Sequence, residues 1–101
     1  MNQKLRKKLR AIGHQLKPVV TIAGNGLSEN VLTELYRALD DHELIKVKIV
    51  GDREERVEVI EKLTALEETD VVQTIGGVAL LYRPSREPKP GLSNILRSNI
   101  L

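Results

Sequence analysis

A chain of 101 residues has room for one modest core and little for a second. With two Tyr, no Phe and no Trp, that core must be aliphatic; with no Cys, disulfides and thiol chemistry are excluded. The net charge of +2 hides an uneven distribution: residues 1–17 carry six bases (Lys4, Arg6, Lys7, Lys8, Arg10, Lys17) and no acid, residues 18–70 carry thirteen acids against six bases, and residues 71–101 four bases against one acid. Such asymmetry predicts an oriented electrostatic face, and a basic face points to nucleic acid; the alternative is solvation alone. No apolar run approaches the ~20 residues of a membrane span. No apolar stretch follows the basic N-terminus, as a signal peptide would require. The expectation is a soluble, cytoplasmic protein.

The first predicted element is a helix over Asn2 to Leu16. Leu5, Leu9, Ile12 and Leu16 fall on one stripe and the bases take the remaining surface. Pro18 stops it, because a residue before proline avoids the α region. Val19 to Ile22 is a short β-branched strand, and Ala23 to Gly26 a turn. Ser28 is a good N-cap for a helix over Glu29 to Asp41, with Val31, Leu35 and Ala38 in one inward row and Leu32 and Leu39 beside it. Leu44 to Val50 alternates, Ile45, Val47 and Ile49 against Lys46 and Lys48, which marks a strand with one buried and one solvated face. Asp52 and Glu55 form a capping-box pattern for a helix to about Leu66, with Val57, Ile60 and Leu63 inward and Glu54, Glu58, Glu61, Glu67 and Glu68 outside. Val71 to Ile75 and Val78 to Arg83 read as strands across Gly76-Gly77, a hairpin turn in which both glycines suit positive φ. Pro84, Pro88 and Pro90 then forbid regular structure. The tail repeats Ser-Asn-Ile-Leu at Ser93 to Leu96 and Ser98 to Leu101, and either docks on the body or a neighbouring subunit or stays free.

The order α-β-α-β-α-β-β predicts an α/β fold in which helix-linked strands run parallel and the last pair is antiparallel. Lys46 and Lys48 argue that one sheet face is free of helices, hence a two-layer sandwich.

Three places invite a chemical reading. The amides of Gly24, Asn25, Gly26 and Leu27 lie between a strand and a helix N-terminus, where the macrodipole favours an anion such as phosphate. Taken alone, an Asn-Gly pair also makes an ordinary turn. The basic helix, with Lys4, Lys7, Lys8, Arg10 and Lys17, suits a surface that tracks phosphates. The run Asp40-Asp41-His42-Glu43 offers metal-ligand types, but adjacent residues at a helix end diverge and His14 is the only other His. No Walker loop, dinucleotide fingerprint or nucleophile–base pair is present. No metal and no cofactor are expected. Two Tyr are too few for an aromatic base-stacking platform.

The segment KPVVTIAGNGLSENVLTELYRALDDHELIKVKI, with VVQTIGGVALLYRP, resembles the CRM (chloroplast RNA splicing and ribosome maturation) domain, in its stand-alone bacterial YhbY-type form. The resemblance covers residues 1–84; residues 85–101 form a Pro-containing tail outside it. It implies a four-stranded mixed sheet of order 1-2-4-3, similar to the C-terminal domain of translation initiation factor three. It also implies an RNA-binding module that associates with precursors of the large ribosomal subunit. The family's GxxG loop, which resembles the backbone-clamping loop of KH domains, falls on Ala23, Gly24, Asn25 and Gly26. Here Ala23 replaces the first glycine and Gly24 follows it.

The expectation is a non-catalytic RNA-binding assembly factor. The turn grips RNA backbone, Lys4, Lys7, Lys8, Arg10 and Lys17 supply charge, and Lys46 and Lys48 contribute less. The alternative is an adaptor that binds a basic protein through the acidic helix and the tail. A small nucleic-acid-modifying enzyme is a third reading, for which no catalytic set is evident. Oligomeric state is not legible.

Overall fold

The computed structural model describes residues 1–23 and 26–98. Seven elements follow in order: α1 (Gln3–Gly13), β1 (Pro18–Ile22), α2 (Glu29–His42), β2 (Leu44–Ile49), α3 (Arg53–Thr64), β3 (Asp70–Ile75) and β4 (Val78–Tyr82). One mixed sheet has the order β1-β2-β4-β3, with β1 parallel to β2 and β4 antiparallel to both of its neighbours. Element order, fold class and strand order are those expected.

The helix starts follow local chemistry. Asn2 caps α1 from outside, its side chain accepting from the Leu5 amide at 2.8 Å. Ser28 Oγ accepts from the Val31 amide at the start of α2. Both halves of the capping box form at α3, between Asp52 and Glu55. The end of α1 comes three residues earlier than the stripe suggested. The amides of Gln15 and Leu16 reach back only three residues, to Ile12 and Gly13, so the chain leaves in a tightened turn well before Pro18.

The main core lies between one sheet face and the pair α2 and α3. Leu35, Leu39, Val59 and Leu63 pack on Val20, Ile22, Ile45, Val47, Ile49, Ala79 and Leu81. Each fully buried aliphatic side chain stabilises this layer by about 1.5–3 kcal/mol. The expected inward row of α3 needs one correction. Val57 is 47% exposed and Val59 takes the buried position. Residues two apart on a helix point nearly opposite ways, so only one of these valines can face the sheet.

The second sheet face is also not bare along its whole length. α1 lies across part of it, and Leu9 and Ile12 meet Leu44, Val72 and Leu80, with Leu5, Leu16, Tyr82 and Ile95 at the margin. The Lys46–Lys48 alternation reported a solvated stretch correctly, but Leu44 continues the same face as an apolar landing strip for the α1 stripe. The open part is the remainder, at the end where β1 runs into α2.

The hairpin glycines have different jobs. Gly76 has φ +56, with open space where a Cβ would be; Gly77 does not share the positive φ expected of both. A Cβ on Gly77 would sit 2.9 Å from the backbone oxygen of Ile49, and the Gly77 carbonyl accepts from the Ile49 amide at 2.7 Å. Gly77→Ala therefore pushes backbone against backbone and is expected to cost about 1–3 kcal/mol. Gly76→Asn is expected to cost less than about 1 kcal/mol, because Asn tolerates the left-handed region. Thermal melts of the two variants followed by circular dichroism check the difference.

The tail docks on its own domain. The Asn94 amide and side chain donate to the carbonyls of His42 and Leu44, and Ile95 joins the α1 cluster. The fully buried Ser93 hydroxyl donates to Glu43, itself 5% exposed, whose other carboxylate oxygen accepts from the Ser85 amide at 2.8 Å. The second Ser-Asn-Ile-Leu repeat lies, from Asn99 on, outside the described residues.

Candidate nucleic-acid interface

Amphipathic burial of α1 turns its basic residues outward. Lys4, Lys7 and Lys8 are exposed and Arg10 partly so. Arg6 is different: its guanidinium donates to the Val72 carbonyl at 2.7 Å and pins the helix to β3. Lys17 is exposed immediately before β1. On the sheet beneath, Lys46 pairs in register with Pro18 and Lys48 with Thr21, so both lysines stand on the α1 side, next to edge strand β1. Lys48 is exposed and Lys46 partly exposed.

The turn continues β1 at its carboxyl end. Ala23 is exposed, and its carbonyl accepts from the Gly26 amide at 3.3 Å. Gly26 has φ +74, a conformation that L side chains rarely adopt, so the backbone there favours glycine. Its carbonyl accepts from the Ser28 amide, which leads into the cap of α2. Gly24 and Asn25, the middle of the expected contact, lie outside the described residues.

The basic residues of the expected set thus share one side of the sheet. From Pro18 to Ala23 the path along β1 spans about 17 Å, with Lys17 at one end, the turn at the other, and Lys46 and Lys48 alongside. The opposite side is mixed but net acidic: α2 carries Glu29, Glu34, Asp40 and Asp41 against Arg37, and α3 carries Glu54, Glu55, Glu58 and Glu61 against Arg53, Arg56 and Lys62. One side of the sheet is therefore basic and the other net acidic.

The Asp40–Glu43 run does not converge. Asp40 lies 3.8 Å from the Arg83 guanidinium, and Asp41 pairs with the Lys89 ammonium, which holds its carboxyl below the ordinary aspartate range. His42 Nδ1 bonds the Leu92 carbonyl at 2.8 Å, and Glu43 holds Ser93. The last three of these groups anchor the tail. Among the described residues no group of three His, Cys, Asp or Glu could hold a metal ion, and no helix is long and apolar enough to cross a membrane. Neither Tyr offers a free stacking face on the basic side. Tyr36 lies under the Arg83 guanidinium, 5.2 Å from the ring centroid. Tyr82 is half-buried at the α1 cluster, where burial, then the charges of Glu43 and Asp70, raise its pKa.

The model of the CRS1/YhbY (CRM) domain matches residues 1–83. The chain belongs to this family. A Pseudomonas aeruginosa protein named "Probable RNA-binding protein PA4753" is 49% identical over 98 residues, 96% of this chain and 94% of its own length. A Haemophilus influenzae protein named "RNA-binding protein" is 46% identical over 90 residues, 88% of this chain and 91% of its own. The solution structure of a Staphylococcus aureus protein superposes with a TM-score of 0.73 at 30% identity, covering 86% of this CRM chain and 92% of that one.

Sequence reasoning passed over two residues of the basic side of this CRM domain. His14 and Gln73 line a recess with Lys46 on the open sheet face. Gln73 reaches the same face as its neighbour Val72 because the register of β3 against β4 shifts between Val71 and Gln73, which strict alternation does not show.

Proposed function

We propose that this protein is a non-catalytic, cytoplasmic RNA-binding factor that associates with precursors of the large ribosomal subunit and assists their assembly. The amides of the Ala23–Gly26 turn hold RNA phosphate, Lys4, Lys7, Lys8, Arg10 and Lys17 track the backbone, and Lys46 and Lys48 extend the path across the sheet. Residues 1–84 form the RNA-binding unit and residues 85–101 its Pro-containing tail, of which the described part straps the far end of the sheet. The observation that carries this reading is the uneven charge, with bases and no acid on α1 and β2 on one side of the sheet and a net acidic α2 and α3 on the other. A phosphate chain is drawn to one side and repelled from the other. The names of the relatives support RNA as the partner, and the ribosomal role rests on the family resemblance. An adaptor that uses the tail is disfavoured, because the described part of the tail is bonded to its own domain.

Sedimentation of cell lysate through sucrose at low and high salt tests the proposal. The protein is expected with free or precursor large subunits at low salt and at the top of the gradient at high salt. Its presence at the top under both conditions contradicts the ribosomal role.

A further inference from the structure

The open part of the second sheet face holds a recess of about 240 Å³ lined by His14, Lys46, Gln73, Ile75, Val78 and Leu80. Its walls come from the turn after α1 and from three strands, β2, β3 and β4. Leu80 and Val78 give it an aliphatic floor. Ile75 is 66% exposed on edge strand β3, so apolar surface there is left to water. The side chains of His14, Lys46 and Gln73 make no hydrogen bond or ion pair with any other described residue. The ammonium of Lys46, the imidazole of His14 and the primary amide of Gln73 thus line an apolar floor, uncommitted.

We propose that this recess receives a single unstacked nucleobase of the bound RNA. The inference rests on the RNA-binding reading above and adds a base contact to it. Size fits one planar ring: the volume is below the ~300 Å³ at which pockets for drug-sized ligands begin, yet many times what one water needs. Chemistry fits as well. A base lays its faces on aliphatic carbon and the imidazole, while the Gln73 amide offers both donors and an acceptor to its edge. Charge decides between recesses. None of these lining residues is acidic, and Lys48 and the outer face of α1 flank the site with positive charge for the adjoining phosphates. The recesses at the other end of the sheet set Asp40, Glu68 and Glu87 against Arg83 and Arg86, or Glu68 and Asp70 against Arg86, and are net acidic, which is less favourable for a polyanion.

The test uses the full chain and two single-stranded probes in fluorescence anisotropy: oligouridylate, whose bases stack weakly on one another, and a chain of equal length with abasic ribose throughout. Both carry the same phosphates. The protein is expected to bind oligouridylate about tenfold more tightly, within the range measured for one stacked base. The salt dependence is expected to be the same for both. The double variant His14→Ala, Gln73→Ala is expected to bind both probes alike, at the affinity of the parent protein for the abasic chain, with unchanged melting. Equal binding of both probes by the parent overturns the base site and leaves the RNA reading standing. A tenfold preference that survives in the double variant also overturns it, because the base then sits elsewhere. Failure to bind either probe overturns both.

Discussion

Replacing Lys4, Lys7 and Lys8 together by Ala is expected to lower affinity for single-stranded RNA about a hundredfold at about 0.1 M salt. Each phosphate neutralised on a single strand releases about 0.7 of a counterion. At about 0.1 M salt, losing one such contact costs about fivefold, and three multiply to about a hundredfold. The slope carries the sharper information. Five contacts give a slope of log affinity on log salt near −3.5, and two give a slope near −1.4. The three lysines are exposed and make no ion pair among the described residues, so the domain is expected to melt as before. A triple variant with the parent's slope removes α1 from the RNA surface.

Ending the chain at Pro84 is expected to lower the melting temperature by about 10–20 °C while leaving RNA affinity within about twofold. The buried Glu43 carboxylate loses both donors, the Ser93 hydroxyl and the Ser85 amide. A buried group stripped of partners costs about 1–3 kcal/mol, and the exposed side of Leu44 and Tyr82 adds to it. In a domain of this size about 1 kcal/mol corresponds to about 4–8 °C. Acid loosens the same strap. The Asp41 carboxyl titrates below its unfolded value because of Lys89, so its contribution is present at neutral pH and is lost as pH falls through that lowered value. Ser93→Ala reproduces part of the loss. A truncated chain that melts with the full one shows that the tail contacts add nothing.

Much of this fold is written in local pattern. Ser28 three residues before the Val31 amide, Asp52 three before Glu55, and Ile45, Val47 and Ile49 in alternation each act within one element, so the chain displays them directly. The places where the reading changed are those decided between elements. Val57 and Val59 are equally apolar, and only the packing of α3 on the sheet separates them. Leu44 reads as one more strand residue until α1 folds onto it. Glu43 looks like a solvated acid at a helix end, and its burial depends on Ser93, fifty residues later. Gly77 is a turn glycine by sequence and a close-approach glycine in space, because Ile49 passes behind it. The site divides in the same way. The lysines of α1 and the glycine at position 26 follow from helical periodicity and turn chemistry. The recess of His14, Lys46 and Gln73 does not, since it draws on the turn after α1 and three strands.

The central claim is that RNA lies on the α1 side of the sheet and avoids the α2–α3 side. Titrating the isotope-labelled protein with single-stranded RNA and following its amide NMR signals tests this directly. Signals of α1, Lys17, the Ala23–Gly26 turn, Lys46 and Lys48 are expected to shift, and those of the outer faces of α2 and α3 to stay in place. Shifts concentrated at Glu54, Glu58 and Glu61, with α1 unmoved, would contradict it.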